Sequence, residues 1–148
     1  MHIGYDIDGV LSKRDYSHLS LRGVQMTNFL LSYFAPWLLT RWVKKQEVHE
    51  EIAIAREISF EHCISVITAR PQNICQITSV WLSEVAQIDY NYVYCVGLSR
   101  GFGYRKLEIA QKLDLDLYLD DNVETIEIFK QSGINAQLFT SWRDVKLD

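Results

Sequence analysis

A chain of 148 residues, 48% of them hydrophobic, is expected to form one globular domain with a core of its own and leaves no room for a second. Fifteen Lys and Arg against nineteen Asp and Glu give a net charge of −4 without any basic block, which argues against a surface that tracks a nucleic-acid backbone. The three cysteines, Cys63, Cys75 and Cys95, stand singly, so neither a disulfide framework nor a zinc site is indicated and a reducing, intracellular setting is expected.

Taken in chain order, His2–Ile7 reads as a first strand that passes straight into the acidic loop Asp6-Ile7-Asp8-Gly9-Val10. No basic stretch followed by an apolar run precedes it, so a cytoplasmic protein without a secretory leader is expected. About fifty residues then separate Gly9 from Cys63, far more than a strand-to-helix connection needs, which implies an insertion over about 13–47. Residues around Leu21 to Phe34 and Trp37 to Ile58 look helical, with Pro36 at the break and Val48, Ile52, Ala55 and Ile58 forming a stripe. The apolar run Phe29 to Val43 is interrupted by Ser32, Pro36, Thr40 and Arg41 and falls short of the roughly 20 residues of a membrane span. Its aromatic residues Tyr33, Phe34, Trp37 and Trp42 fit a core or a contact between copies of the chain better than a base-stacking platform.

Beyond the insertion the pattern becomes regular. Cys63–Thr68 is a second strand, and Ile74, Ile77, Trp81, Leu82, Val85 and Ile88 recur at helical spacing after Pro71. Tyr92–Val96 is a third strand, Tyr104 to Leu113 a helix, and Leu115–Leu119 a fourth strand. Val123, Ile126 and Phe129 mark a helix that stops before Gly133, and Ile134–Phe139 is the fifth strand. Near-continuous apolar strands alternating with helices predict an α/β fold: a doubly wound, Rossmann-like, five-stranded parallel sheet with a small helical insertion after the first strand.

The chemistry gathers where strands end. Asp6 and Asp8, two apart at the end of the first strand, project to one side of a pleated strand at the sheet edge where α/β proteins bind ligands. One carboxylate of such a pair can attack phosphorus while the other moves a proton, and Gly9 lets the backbone come close. Thr68 ends the second strand, where its hydroxyl and the amides beside it, Ala69 first, can hold phosphate oxygens at a starting helix. Lys106 falls in the first turn of its predicted helix, against the helix dipole, which invites a role in neutralising carboxylate and phosphate. Asp120 and Asp121 follow a buried strand; Asp121 with Glu124 also fits a helix cap, whereas Asp120 has no such explanation. Phosphate among Asp6, Asp8, Asp120 and Asp121 would meet repulsion of about 4 kcal/mol per charge pair at 4 Å, which one lysine cannot cancel. A hard divalent cation can, and Mg²⁺ suits this oxygen-rich set.

These four motifs, in this order, resemble those of the haloacid dehalogenase (HAD) superfamily of phosphohydrolases, of the small-cap type, over about residues 1–12 and 60–140. The resemblance implies an enzyme with Asp6 as nucleophile, Asp8 as general acid/base, Thr68 and Lys106 as phosphate holders and Asp120 with Asp121 positioning Mg²⁺. It implies a small phosphorylated substrate, and the second aspartate is similar to the phosphatase branch rather than the dehalogenases. A weaker likeness to the deoxyribonucleotidases rests on Asp8-Gly9-Val10 and the helical insertion. A receiver domain is disfavoured because Tyr92–Val96 leads into Gly97-Leu98-Ser99 with no acceptor acid, and a catalytically silent relative remains as a rival.

Overall fold

Five short strands, β1 (His2–Tyr5), β2 (Cys63–Thr68), β3 (Tyr92–Cys95), β4 (Leu117–Asp120) and β5 (Ala136–Leu138), pair in the order β3-β2-β1-β4-β5, all parallel. The structure, a computed structural model, describes residues 1–13 and 36–147. The helix expected over Leu21 to Phe34, together with Tyr33 and Phe34, lies outside the described residues.

Strand alternation sorts the core into two layers. Ile3 and Tyr5 of β1, Ile64 and Val66 of β2, and Leu117 and Leu119 of β4 face one side. There they meet α1 (Pro36–Lys45), α2 (Ile52–Glu61), α3 (Cys75–Trp81) and Trp142. Ile67 and Tyr118 face the other side, against α4 (Phe102–Lys112) and α5 (Val123–Gln131). Gly4 belongs to this second face: a Cβ there would come within 2.6 Å of both Leu115 and Tyr118, so the bare backbone lets the Tyr118 ring pack against β1. The expected doubly wound sheet is therefore present, with strand ends shifted by one or two residues.

Three local readings change. The helical pattern over Trp37 to Ile58 is broken after Lys45, because residues 46–49 are recruited as partners of the chain just beyond β1. Lys13 N–H donates to the Glu47 carbonyl at 3.0 Å and His49 N–H to the Leu11 carbonyl at 2.8 Å, so the two ends of the insertion are stapled to each other. Pro36 opens α1, as suits a residue with fixed φ and no N–H. Secondly, α4 begins at Phe102, after Gly101 at φ 81°, so Lys106 lies in its second turn and not its first. The helix dipole, strongest in the first turn, therefore bears less on Lys106. Thirdly, the cap of α5 is Asn122, whose side chain accepts from Thr125 N–H at 2.9 Å, which leaves Asp121 outside the helix. The helix after Pro71 also starts with a 3₁₀ turn (Gln72–Ile74) and ends in a wide π turn (Leu82–Ala86), closed by Gln87 at φ 56°. Among the described residues no helix is long and apolar enough to cross a membrane.

Candidate active site

The C-terminal ends of β1, β2 and β4 converge on one edge, at the point where the chain, having gone from β1 out to β3, crosses back to β4. Asp6 follows β1, Thr68 ends β2, and Asp120 ends β4. All three side chains are buried, as is Lys106 from α4.

Lys106 bridges the two acids. Its Nζ stands 2.7 Å from Asp120 Oδ2 and 3.1 Å from Asp6 Oδ2, with Phe102 and Tyr118 rings on its flanks. Burial alone would push an ammonium's pKa down; Asp120 and Asp6 outweigh it and hold the lysine charged. Asp120 is fixed twice more: Oδ2 lies 3.0 Å from the Tyr118 hydroxyl, and Oδ1 accepts the Asn122 N–H at 2.9 Å. Asp6 is different. Its Oδ1 is buried with no hydrogen-bond partner among the described residues. Burial raises the Asp6 pKa to about 7, with Lys106 opposing and Asp120, Asp8 and Asp121 reinforcing the rise.

Such an oxygen is costly unless something occupies it. Asp6, Asp120 and Asp121 can each aim one carboxylate oxygen so that all three lie within 4.8 Å of one another, a spacing that suits a shared cation. Gly9 makes room for the third: at φ 92° its absent Cβ would sit 2.0 Å from Asp121 Oδ2. A buried, unpartnered carboxylate oxygen, an all-oxygen donor set and a glycine that admits Asp121 together fit a hard cation such as Mg²⁺.

The structure places Asp8, also expected among the metal ligands, apart from this group. Because β1 ends at Tyr5 and the chain turns at Ile7, whose carbonyl receives the N–H groups of Val10, Leu11 and Ser12, pleating does not carry Asp8 to the side of Asp6. Its carboxylate is held by Arg70, with Nε on Oδ2 at 3.0 Å and Nη2 on Oδ1 at 2.8 Å. Gln46 Nε2 donates to Oδ1 at 2.6 Å, and Ser12 Oγ approaches it at 3.3 Å. Burial would raise the Asp8 pKa, but Arg70 and these hydrogen bonds bring it below the usual carboxylate range. Arg70 is itself 2% exposed, with its guanidinium 5.5 Å from the Trp42 ring centre and 5.7 Å from that of Trp81.

Thr68 is 1% exposed, and its hydroxyl accepts the Arg70 N–H at 3.4 Å; Ala69 lies between them, half-buried. Sequence reasoning thus brought Asp6, Asp8, Thr68, Ala69, Lys106, Asp120 and Asp121 to one edge, and missed Arg70, Gln46, Ser12 and Tyr118. Arg70 stands two residues beyond Thr68, where an arginine directly behind a buried strand was the available signal. Gln46 carried none, since its place depends on the staple between 11–13 and 47–49.

The fold has counterparts in solved structures. A HAD-superfamily hydrolase of subfamily IA from Geobacter sulfurreducens superposes with a TM-score of 0.57 at 10% identity, covering 91% of this chain and 84% of that one. A HAD family enzyme of Bacteroides thetaiotaomicron, an aspartate-to-alanine variant in complex with magnesium and inorganic phosphate, gives 0.57 at 9% identity and covers 93% and 92%. The fold is that of the HAD hydrolases. A chain of the Pnkp1/Rnl/Hen1 RNA repair complex matches with a TM-score of 0.63 at 13% identity; 93% of this chain is covered, but it spans only 42% of that chain. No protein-family model and no curated protein matches the sequence.

Proposed function

We propose that this chain is a magnesium-dependent phosphomonoester hydrolase of the HAD superfamily that works through an aspartyl-phosphate on Asp6. One observation carries the reading: Asp6 keeps a buried oxygen without a partner while its other oxygen is pinned by Lys106, beside two further carboxylates. An unsolvated, oriented carboxylate is what an in-line attack on phosphorus requires. The HAD fold, and the Bacteroides relative that holds magnesium and phosphate, support it.

In this reading Asp8, ionised on Arg70 at rest, takes up the proton that the substrate's phosphate monoanion brings; an Asp6 oxygen then attacks the phosphorus as the ester P–O bond breaks, and Asp8 passes that proton to the departing alkoxide. Asp8 then takes a proton from water, whose oxygen attacks the same phosphorus; the P–O bond to Asp6 breaks, releasing phosphate and restoring the carboxylate. Thr68, the Ala69 amide and Lys106 would hold phosphoryl oxygens. Asp6, Asp120 and Asp121 would hold Mg²⁺, which supplies charge neutralisation for the phosphate when bound. Lys106 pairs with Asp6 and Asp120 and holds both side chains in place, and its charge opposes the rise that burial imposes on the Asp6 pKa. Asp8, seated on Arg70 and Gln46, stands to one side of that cluster, as a proton-transfer group does.

The substrate class we propose is a small phosphorylated metabolite, with deoxyribonucleotides as one family to test; a catalytically silent binding role is the alternative. Hydrolysis of p-nitrophenyl phosphate with and without Mg²⁺, for the wild-type chain and for Asp6→Asn, decides between them. Turnover that needs both Mg²⁺ and Asp6 is expected, whereas activity that survives Asp6→Asn removes the assigned nucleophile. No turnover of any phosphate ester by the wild type would favour the silent role.

A further inference from the structure

Gln46 lies 38 residues beyond Asp8, at the far end of the insertion, yet its side chain is spent entirely on the Asp8 network. Nε2 donates to Asp8 Oδ1 at 2.6 Å and to Ser12 Oγ at 2.7 Å, while Oε1 accepts from Arg70 Nη2. Its backbone is anchored too, because Trp81 Nε1 donates to the Gln46 carbonyl at 3.0 Å. The amide can face only one way. Arg70 offers donors alone, so the carbonyl oxygen must turn to it, which leaves the NH₂ group for Asp8.

The count of donors around Asp8 is uneven. Oδ1 is approached by Arg70 Nη2, Gln46 Nε2 and Ser12 Oγ, whereas Oδ2 receives Arg70 Nε. A carboxylate oxygen offers about two lone-pair sites. Oδ1 is therefore saturated, and Oδ2 keeps acceptor capacity. The side chain is 20% exposed, so a reacting group can reach it.

We infer that Gln46 is a positioning residue for the general acid/base: with Arg70 and Ser12 it saturates Oδ1 of Asp8 and so presents Oδ2 as the oxygen that handles the proton. This rests on the phosphohydrolase reading above and adds a residue that touches neither phosphate nor metal in that reading. It also gives the insertion a catalytic duty. The staple between residues 11–13 and 47–49 brings Gln46 to Asp8, so the proton-transfer group is aimed from the chain that closes the insertion.

The test compares two substrates whose reacting phosphoryl group is the same. An alkyl phosphate needs a proton delivered to its leaving oxygen, and p-nitrophenyl phosphate, which leaves as a stable anion, does not. The readout is the ratio of their kcat/KM values, in which any loss of folded enzyme cancels; thermal unfolding of each variant is followed alongside. Asp8→Asn sets the scale, since general acid catalysis contributes about 10²–10⁴-fold. Gln46→Ala, which removes the donor, and Gln46→Glu, which keeps the size and the acceptor for Arg70 but loses the donor to Asp8, are each expected to lower the ratio by about tenfold or more, in line with the cost of misplacing a reacting group. If Asp8→Asn lowers the ratio and both Gln46 variants keep it at the wild-type value, the positioning role is overturned. If Asp8→Asn leaves the ratio unchanged, or the wild type hydrolyses neither ester, the underlying assignment of Asp8 or of the activity fails, and the inference fails with it.

Discussion

Replacing Lys106 with methionine keeps much of the side chain's length and apolar stem while deleting the charge that joins Asp6 to Asp120. The two ion pairs it deletes are 2.7 Å and 3.1 Å long, and the lysine is 1% exposed. At an effective dielectric constant near 20, each such pair is worth about 5–6 kcal/mol before desolvation is counted. Burying three charged groups cancels much of that, and removing one partner from a buried ionic cluster leaves a net loss of about 3–5 kcal/mol. For a chain of this size that corresponds to a fall in Tm of about 6–20 °C. The response to Mg²⁺ is the distinguishing signature. Mg²⁺ should stabilise the wild type, and it should stabilise Lys106→Met by several degrees more, because the cation then meets carboxylates that have lost their internal counter-charge. Differential scanning calorimetry of both proteins, with EDTA and with saturating Mg²⁺, measures all four values. A drop of less than about 2 °C in EDTA, or an equal Mg²⁺ increment in the two proteins, would refute the reasoning that Lys106 and the cation compensate the same acids.

The remaining predictions probe the frame around those acids. Gly9→Ala places a Cβ 2.0 Å from Asp121 Oδ2 at a φ of 92°, so Asp121 must move; the Mg²⁺ concentration for half-maximal activity is expected to rise about tenfold or more, and an unchanged Mg²⁺ titration would show that Asp121 is no ligand. Trp142→Phe keeps an aromatic ring against Tyr5 and Phe139 but leaves the Val10 carbonyl, now bound at 3.0 Å, without its donor. A loss of about 1–3 kcal/mol in urea unfolding is expected; a loss above about 4 kcal/mol would mean that packing, not the hydrogen bond, is what Trp142 supplies.

The fold was legible because its strands are unusually plain. Ile3–Tyr5, Ile64–Ile67 and Leu117–Leu119 are buried on both faces and, Ser65 apart, without polar aliphatic side chains, as a sheet covered on two sides demands, and each ends just before a residue of the site. Asp120 was legible for a related reason: a carboxylate directly behind a buried strand needs a counter-charge, and Lys106 and the Tyr118 hydroxyl are found there. What the chain hid was longer in range. The pattern at Val48 continues the stripe of Ile52, Ala55 and Ile58, and only pairing with Leu11–Lys13 shows why it is not helical. Lys106 came to attention through a helix start two residues late; its position is explained by burial between two acids, a tertiary fact that periodicity does not encode.

Asp6 and Asp8 show how the same residue type, two positions apart, is given opposite surroundings. In a continuing strand they would be equivalent, both facing one way and both repelled by Asp120 and Asp121. The strand stops at Tyr5, the turn at Ile7 redirects the chain, and each carboxylate meets a different cation. Lys106 is a compact ammonium that shares itself between Asp6 and Asp120 and leaves one Asp6 oxygen bare. Arg70 is a planar fork that takes both oxygens of Asp8, and its own plane is held beside two indoles. A lysine at position 70 would grip only one oxygen and free Asp8 to turn toward the acidic cluster; an arginine at position 106 would need more room than the pocket between Phe102 and Tyr118 provides and would saturate the oxygen that the proposed attack requires. The choice of cation, as much as the placing of the acids, separates the group that would bond to phosphorus from the group that would move the proton.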